Sequence, residues 1–409
     1  MLWFHPSACT GFIAAGAKIA VARVNPPEVN AERTDSGGKR VLAFVGGAYV
    51  FGAEIAALDM LAELARRGHA IHCVVSGWND GDIIRRIERL GWPYTVVKLG
   101  FLYLSRPGWT ADALRHYPGA RVACQRVLRS FAPDVVYFLG SNGLLMLPWF
   151  SPRARTVVHI VDARLASRRT RLEFRILSGR AGRFIAISGF TSRRLVEQGV
   201  PEGKVRVVYP PITLEPHARA TVETGEPRAP RIGIVGQIIP RKGHADLFVA
   251  AADLARRGHE FTLHIYGRGP ADMTAVLEAQ ARSLGISSRT RFHGYVADRA
   301  EIYRDLDIVV VPTRDDEALG LVAAEPGTQG LPVVASAAGG LPEVVRDGET
   351  GLLFRPCDAS DLARKLERLL TEPGLRARLG NAARAHIARV FGRAPCGDAF
   401  ERVLQEIAG

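Results

Sequence analysis

The chain has 409 residues, of which 47% are hydrophobic and 23% charged, and its formal net charge is +13. This length predicts two or three domains, each large enough to bury its own core. The composition is globular, without an extended low-complexity tract. The sequence has no run of eighteen apolar residues, so it predicts no membrane-spanning helix.

The positive charge is confined to one half of the chain. Residues 231–409 contain 23 basic and 23 acidic residues, so the whole surplus lies in residues 1–230. This asymmetry indicates that one domain meets an anionic partner, and nucleic acid, an anionic membrane and a phosphorylated substrate are all open. A solvated arginine-rich surface is the alternative. Nucleic acid is disfavoured because the basic half carries no recognition motif. The five scattered cysteines are typical of a reducing cytoplasm.

Residues 1–38 are expected to be a disordered or non-native-start extension. The first predicted domain, residues 39–212, opens with the strand Val41–Val45, the helix Glu54–Arg67 and the strand Ala70–Ser76, an order that indicates a right-handed βαβ unit. Helices fill the gaps between the later strands. Those strands are predicted at Tyr94–Lys98, Val135–Leu139, Thr156–Ile160, Arg183–Ile187 and Val205–Tyr209.

A linker at residues 213–230 precedes a second domain, residues 231–392, which repeats the pattern. A last helix within residues 393–409 is expected to pack back on the first domain. The prediction is therefore an α/β protein with two facing Rossmann-like domains, whose ligand lies in the cleft at the carboxyl ends of the strands. The strands of the second domain are predicted at Arg231–Val235, Phe261–Tyr266, Thr290–His293, Ile308–Val311 and Pro332–Ala335.

The most informative segment follows the strand that ends at Pro312. Glu317 lies in the next loop, and Glu325 lies in a helix expected to start near Leu319. A helix N-terminus aimed at a cleft is suited to bind a diphosphate. Glu325 could then accept hydrogen bonds from ribose hydroxyls, and Glu317 could stabilise a departing sugar, although solvated acids at a helix start are the alternative. The N–H groups expected to point into the cleft are those of Gly320, Leu321 and Val322.

This segment resembles the Glu-x7-Glu signature of glycosyltransferase family 4. Leu319 stands where Phe is usual and Pro326 where Ala is usual, and the helix start is expected to shift later because proline disfavours a helix interior. The resemblance covers about residues 39–409. The matching residues are Pro312, Glu317, Gly320, Glu325, Gly330, Pro332, Val333, Gly339, Gly340 and Glu343.

The resemblance implies GT-B architecture and transfer of a sugar, with retention of configuration and without a metal or other cofactor, from a nucleotide-sugar donor. The implied acceptor is a glycan, glycolipid or phosphate-bearing molecule in cell-envelope polysaccharide or glycoconjugate synthesis. Glu317 takes the catalytic role in this scheme. Two alternatives stay open: a nucleotide-sugar epimerase or hydrolase on the same fold, and a degenerate partner subunit without activity.

The loop Gly236–Gly243 resembles the family's Gly-Arg-Leu-x-x-x-Lys-Gly segment, which implies that Lys242 contacts the donor diphosphate. Gln237 replaces the usual arginine, and Arg241 is either its substitute or a solvated loop residue. The remaining donor-binding positions implied by resemblance are Gly52, Gly267, Arg268, Tyr295 and Val296.

On the acceptor side, the segment Val158–Asp162 resembles a family strand end with a histidine beside an acid. His159 and Asp162 are the candidates, and a core histidine is the alternative for His159. A basic amphipathic helix that includes Arg168 is expected to meet an acceptor bearing phosphate or lipid at the inner membrane face, so the protein is predicted to be cytoplasmic and peripheral on that face. An ordinary solvated helix is the alternative. The residues behind this prediction are Arg164, Leu165, Arg168, Arg169, Arg171, Leu172, Arg175, Ile176, Arg180, Arg183 and the aromatic stretch at residues 100–109.

Overall fold

Two parallel sheets, each covered by helices on both faces, organise the chain. The computed structural model describes residues 38–45, 50, 52–98, 107–141, 155–162, 167–212 and 228–408. The predictions for residues 1–37, 100–106, 164, 165 and 213–227 lie outside these ranges.

The N-terminal domain has a seven-stranded parallel sheet. Its strands are β1 (Arg40–Val45), β2 (Ala70–Ser76), β3 (Tyr94–Val97), β4 (Val135–Leu139), β5 (Thr156–Ile160), β6 (Arg183–Ala186) and β7 (Val205–Val207). Its helices are α1 (Gly52–Arg66), α2 (Asp82–Arg89), α3 (Pro107–Phe131), α4 (Arg168–Ser178) and α5 (Gly189–Glu197). The strand order is β3-β2-β1-β4-β5-β6-β7, which places the buried apolar runs of β1, β4 and β5 in the interior.

The C-terminal domain repeats this architecture with six parallel strands in the order β10-β9-β8-β11-β12-β13. These strands are β8 (Arg231–Val235), β9 (Thr262–Tyr266), β10 (Thr290–Gly294), β11 (Ile308–Val311), β12 (Val333–Ser336) and β13 (Gly351–Phe354). The helices are α6 (His244–Arg256), α7 (Ala271–Ser283), α8 (Arg299–Arg304), α9 (Leu321–Thr328), α10 (Leu341–Val344), α11 (Ala359–Thr371), α12 (Pro373–Phe391) and α13 (Arg393–Ala408).

The predicted fold class is confirmed, and the bounds of β2, β4, β5, β8 and β11 are those predicted. Strand β13 was not among the predicted strands. The start of α9 at Leu321 is later than Leu319, as expected, but the helix still contains Pro326 as its sixth residue, so the expectation that the proline avoids the helix interior is wrong. Gly327 permits close packing there, since a Cβ on it would lie 2.7 Å from Ile387 of α12. Tertiary packing thus outweighs the local penalty of the proline.

The last helix, α13, packs on the N-terminal domain although it follows the C-terminal domain in sequence. Phe400 and Leu404 are buried in the core formed with α1 and the N-terminal sheet. At its edges, His69 Nε2 lies 2.7 Å from Glu401, and Arg67 donates to Asp398 at 2.7 Å. The chain therefore crosses between the domains twice.

Replacing Phe400 tests this docking. Phe400 is 1% exposed and its ring lies 6.0 Å from that of Tyr137. We expect Phe400→Ala to lower the free energy of unfolding by about 3–5 kcal/mol, because a cavity is left in the core. Denaturant titration measures the change. Val276→Ala, at a side chain that is 58% exposed, serves as the control. Equal midpoints for the two variants would contradict the docked position of α13.

Candidate active site

The loop after β11 carries the candidate catalytic carboxylate. Glu317 lies between β11 and α9, at the carboxyl end of the C-terminal sheet, where the loop after β8 also arrives. The backbone N–H of Arg314 donates to the carbonyl of Arg241 at 2.8 Å, which ties these two loops together. The carboxyl ends of parallel strands thus bring Lys242 and Glu317, 75 positions apart in the chain, to the same place.

Lys242 and Glu317 form an ion pair in this cleft. Lys242 Nζ donates to Glu317 Oε2 at 2.6 Å, and the two side chains are 16% and 15% exposed. Arg241 lies 3.7 Å from the same carboxylate oxygen. Two cations therefore face one carboxylate, and this local excess of positive charge suits an anion. The predicted residues Glu317, Lys242 and Arg241 are brought together.

Glycine makes this approach of loops possible. Gly243 has a φ of +72°, and a Cβ on it would lie 1.8 Å from the carbonyl oxygen of Pro312. Gly339, with a φ of +59°, also lies close to the backbone of Glu317, since a Cβ on it would be 2.2 Å from the carbonyl oxygen of Glu317. Any side chain at these positions would push the loops apart.

The start of α9 faces the N-terminal domain. Gly320 is the N-cap, with a φ of +92°, and the first N–H groups of the helix lack intrahelical acceptors by their position. A Cβ on Gly52, the first residue of α1, would lie 3.7 Å from the side chain of Leu321. The helix start and the first loop of the N-terminal domain therefore meet across the cleft, and Leu321 and Val322 are partly exposed there.

Glu325 lies deeper than the other acid. Its side chain is 5% exposed, and its carboxylate accepts hydrogen bonds from Arg299 and from the hydroxyl of Tyr303, the latter at 2.9 Å. Burial raises the pKa of Glu325, while Arg299 and Tyr303 counteract the shift. Burial also raises the pKa of Asp59, on α1, to about 6, with Arg299 the strongest opposing charge. Arg299 thus opposes the charge of one carboxylate from each domain, Glu325 and Asp59. The contact of Glu325 with a ribose stays a prediction.

The predicted donor-binding residues Gly267, Arg268, Tyr295 and Val296 lie beside β9 and β10. The N–H of Gly267 donates to the carbonyl of Gly294 at 2.7 Å, and the guanidinium of Arg268 lies 4.5 Å from the ring centroid of Tyr295. Tyr295 is 56% exposed, whereas Val296 packs partly against the core. Gln237 is exposed, so the residue that replaces the usual arginine faces solvent.

Two family profiles match successive halves of the chain. The profile described as Glycosyltransferase Family 4 matches residues 50–216, and the profile of glycosyl transferases group 1 matches residues 222–386. Together they cover both domains. The chain belongs to glycosyltransferase family 4.

Proteins related to this chain in sequence are also named glycosyltransferases. A D-inositol 3-phosphate glycosyltransferase of Rhodococcus jostii is 37% identical over 219 residues, which are 50% of this chain and 48% of that protein. The protein of that name from Nocardia farcinica is 37% identical over 223 residues, covering 51% and 49% of the two chains. The chain thus spans about half the length of these curated relatives.

Solved structures share the fold. The Anabaena protein Alr3699/HepE, crystallised with UDP and glucose, has a TM-score of 0.74 at 20% identity, covering 90% of this chain and 99% of that one. A glycosyltransferase from Rickettsia africae has a TM-score of 0.75 at 17% identity, covering 91% and 99%. At such identities the likeness establishes the GT-B fold.

The acceptor-side predictions for this family 4 protein meet a correction at His159. The ring is fully buried in β5, and Nδ1 shares a hydrogen bond with the hydroxyl of Tyr137. Burial lowers the pKa of His159 to about 3. His159 is a core histidine, because the alternation of β5 places its side chain on the sheet face where the buried Tyr137 packs, rather than in the cleft. Asp162 is partly exposed beyond the end of β5, and Arg168 is exposed at the start of α4.

Sequence reasoning missed the contact of Glu343 with the N-terminal domain and the contact of Arg299 with Glu325. Glu343 matched the motif, but its carboxylate accepts hydrogen bonds from the N-terminal domain, at the start of α5. The closing glutamate of the motif offered a signal, whereas nothing near Arg299 in sequence indicated its contact with Glu325. Among the described residues, no helix is long and apolar enough to cross a membrane.

The glycine of the lysine loop provides a test of the site geometry. Gly243→Ala should displace Lys242 and reduce donor turnover, because the added methyl meets the Pro312 carbonyl and the backbone is left-handed. Gly258→Ala is the matched control, since it has a φ of +84° and nothing within 4 Å of the added Cβ. Its cost is limited to about 1–2 kcal/mol of stability from the left-handed backbone. Thermal unfolding and turnover are measured on both, and equal behaviour would refute the close approach.

Proposed function

We propose that this protein transfers a sugar from a nucleotide-diphosphate donor to an acceptor held by the N-terminal domain. The observation that carries the proposal is the meeting of Glu317, Lys242 and Arg241 beside the start of α9, opposite Gly52. Membership of glycosyltransferase family 4 supports the same activity. The fold-level neighbour crystallised with UDP and glucose supports a uridine diphosphate sugar as the first donor to test.

Negative charge develops on the diphosphate as the bond to the anomeric carbon breaks. Positive charge and N–H dipoles are already in place where this leaving group would lie. They are supplied by Lys242, Arg241 and the first N–H groups of α9. Lys242 pairs with Glu317 in the structure, and a bound diphosphate would compete for the ammonium group. Donor binding would therefore release Glu317 toward the sugar, which it would orient and stabilise.

The transfer step forms one bond and breaks one. The acceptor oxygen bonds to the anomeric carbon, the bond from that carbon to the diphosphate oxygen breaks, and the hydroxyl proton leaves with the diphosphate. We propose that configuration is retained and that no metal takes part, on the support of family membership. The names of the sequence relatives support a phosphate-bearing acceptor, which suits the basic N-terminal domain.

Variants at the ion pair test the chemistry. We expect Glu317→Gln and Lys242→Ala each to lower the turnover of a donor identified from a nucleotide-sugar panel by about 10²–10³-fold, the range typical of lost transition-state stabilisation. Glu349→Gln and Arg256→Ala, at side chains that are 70% and 76% exposed, are the controls. Product analysis by mass spectrometry accompanies the rates.

The same assay separates the alternatives. Release of free sugar at the same rate with and without acceptor would indicate a hydrolase. A product in which the sugar is altered but still attached to its nucleotide would indicate an epimerase. Binding of no nucleotide sugar by the wild-type chain would favour a partner subunit. Wild-type turnover in both ion-pair variants would exclude the proposed site.

We also propose that the N-terminal domain meets an anionic membrane through α3 and α4. These helices cover the same sheet face, because the buried Cys124 and Phe174 belong to one core. Leu172 and Ile176 on α4 are 57% and 49% exposed, and Leu114 on α3 is 57% exposed. The exposed arginines of α4 are Arg168, Arg169, Arg171 and Arg175. Exposed apolar side chains among arginines are typical of a helix that lies at a lipid surface.

Vesicle flotation tests this face. The wild-type protein is expected to float with vesicles containing an anionic lipid and to stay behind with purely zwitterionic vesicles. Reversing Arg168 and Arg175 together to Glu should weaken binding more than tenfold, since each basic residue near such a surface contributes about 1 kcal/mol. Reversing the exposed Arg256 on the C-terminal domain should have no effect. Binding of the wild type to neither kind of vesicle would contradict the membrane proposal.

A further inference from the structure

We propose that a set of contacts between the two domains, centred on α5 and here called the clamp, positions Glu317. The placement of Glu317 then depends on domain closure. The clamp consists of Ser188 and Arg194 on the N-terminal side and Asp316, Ala318 and Glu343 on the C-terminal side. Its effect on catalysis rests on the proposed function, whereas the clamp itself is a property of the domain interface.

The first contact is a carboxylate on a helix start. Glu343 reaches from α10 and accepts from the backbone N–H groups of Gly189 at 2.8 Å and Phe190 at 2.7 Å, the first two residues of α5. The hydroxyl of Tyr209 donates to the same carboxylate at 2.8 Å. These N–H groups have no acceptor within their own helix, so the other domain completes the cap.

The second contact holds the chain on both sides of Glu317. The hydroxyl of Ser188 donates to the carbonyl of Ala318, the residue that follows Glu317. Arg194 donates to the carboxylate of Asp316, the residue that precedes it, at 2.8 Å. The side chains of Arg194 and Asp316 are 27% and 35% exposed, so water screens this pair only in part.

The third contact joins the two C-terminal parts of the clamp. The N–H of Gly340 donates to the carbonyl of Glu317 at 2.7 Å, and Gly340 is the N-cap of α10, which carries Glu343. A Cβ on Gly340 would lie 2.5 Å from the carbonyl of Ala318. The loop of Glu317 and the start of α10 therefore move together, and both are fastened to α5.

A functional consequence follows from this arrangement. The donor-contacting residues Lys242 and Arg241 belong wholly to the C-terminal domain, whereas Glu317 is held in place partly by the N-terminal domain. Donor binding alone does not require the clamp, but the aligned carboxylate does. Ser188, Arg194 and Glu343 are thus positioning residues, and their loss should affect turnover more than donor affinity.

A charge exchange across the interface tests the clamp. We compare Arg194→Glu, Asp316→Arg and the double exchange with the wild type, and Arg256→Glu is the control for a reversed surface charge. One readout is the distance between spin labels at residues 122 and 276, whose side chains are 53% and 58% exposed and lie in different domains. These measurements use a background in which Cys9 and the exposed Cys357 are replaced by Ser. The other readout is kcat and donor KM.

Each single exchange should broaden the inter-domain distance and lower kcat by about tenfold or more, the scale of a lost hydrogen bond between charged groups. Donor KM should change by less than about threefold, since such a change corresponds to well under one charged hydrogen bond. The double exchange should restore both readouts. Glu343→Gln should open the interface as well, because an amide nitrogen would face the N–H donors of α5.

Unchanged distances in both single exchanges would overturn the clamp, as would a double exchange that rescues neither readout. The distance measurement needs no turnover. A chain that transfers no sugar but opens when Arg194 is reversed would therefore retain the clamp and lose the proposed function. Altered distances with unchanged kcat would show that closure does not position Glu317, and would overturn the catalytic part of the inference.

Discussion

The loop after β11 is held from three directions, and the rest of the site depends on this. Lys242 contacts Glu317 from the loop after β8, Gly340 binds its carbonyl from the start of α10, and α5 holds the flanking residues from the other domain. A carboxylate on a free loop would sample many positions. Here its backbone is fixed by hydrogen bonds on both sides, which is the preorganisation that charge stabilisation in a cleft requires.

The charges around the cleft are arranged so that each acid has a different environment. Glu317 is partly exposed and paired with a lysine that an anion could recruit. Glu325 is buried with Arg299 and Tyr303. Asp59 keeps a pKa of about 6, above its ordinary 3.8, so the folded chain retains a proton that the unfolded chain loses between these values. Its contribution to stability is full below pH 3.8 and is lost as the pH rises to 6.

The sequence predicted the elements and the residues at strand ends well, because short apolar runs bounded by glycine define parallel strands and the motif spacing fixes which loop follows which strand. It predicted that Glu317 and Lys242 share a site. It did not predict that Glu343 caps a helix of the other domain, since no local pattern encodes a partner 154 positions away. His159 shows the same limit in reverse, as a histidine beside an acid at a strand end is compatible with both a cleft and a core.

The two crossings between the domains determine which inter-domain contacts a rotation of one domain against the other would separate. The N–H of Ile212 donates to the carbonyl of Phe391 at 2.8 Å, and the rings of Tyr209 and Phe391 lie 4.8 Å apart, so both crossings pass the same point. Beyond Phe391, α13 is buried in the N-terminal core and cannot follow the C-terminal domain. A rotation about this point leaves the Tyr209–Phe391 contact least changed and separates more distant contacts most. One contact of the clamp lies at this point, since Glu343 bonds Tyr209 itself, whereas Arg194 meets Asp316 further along α5 than Gly189 and Phe190. The Arg194–Asp316 pair is accordingly a clamp contact that involves neither Tyr209 nor Phe391, and it is bonded to the residue directly before Glu317.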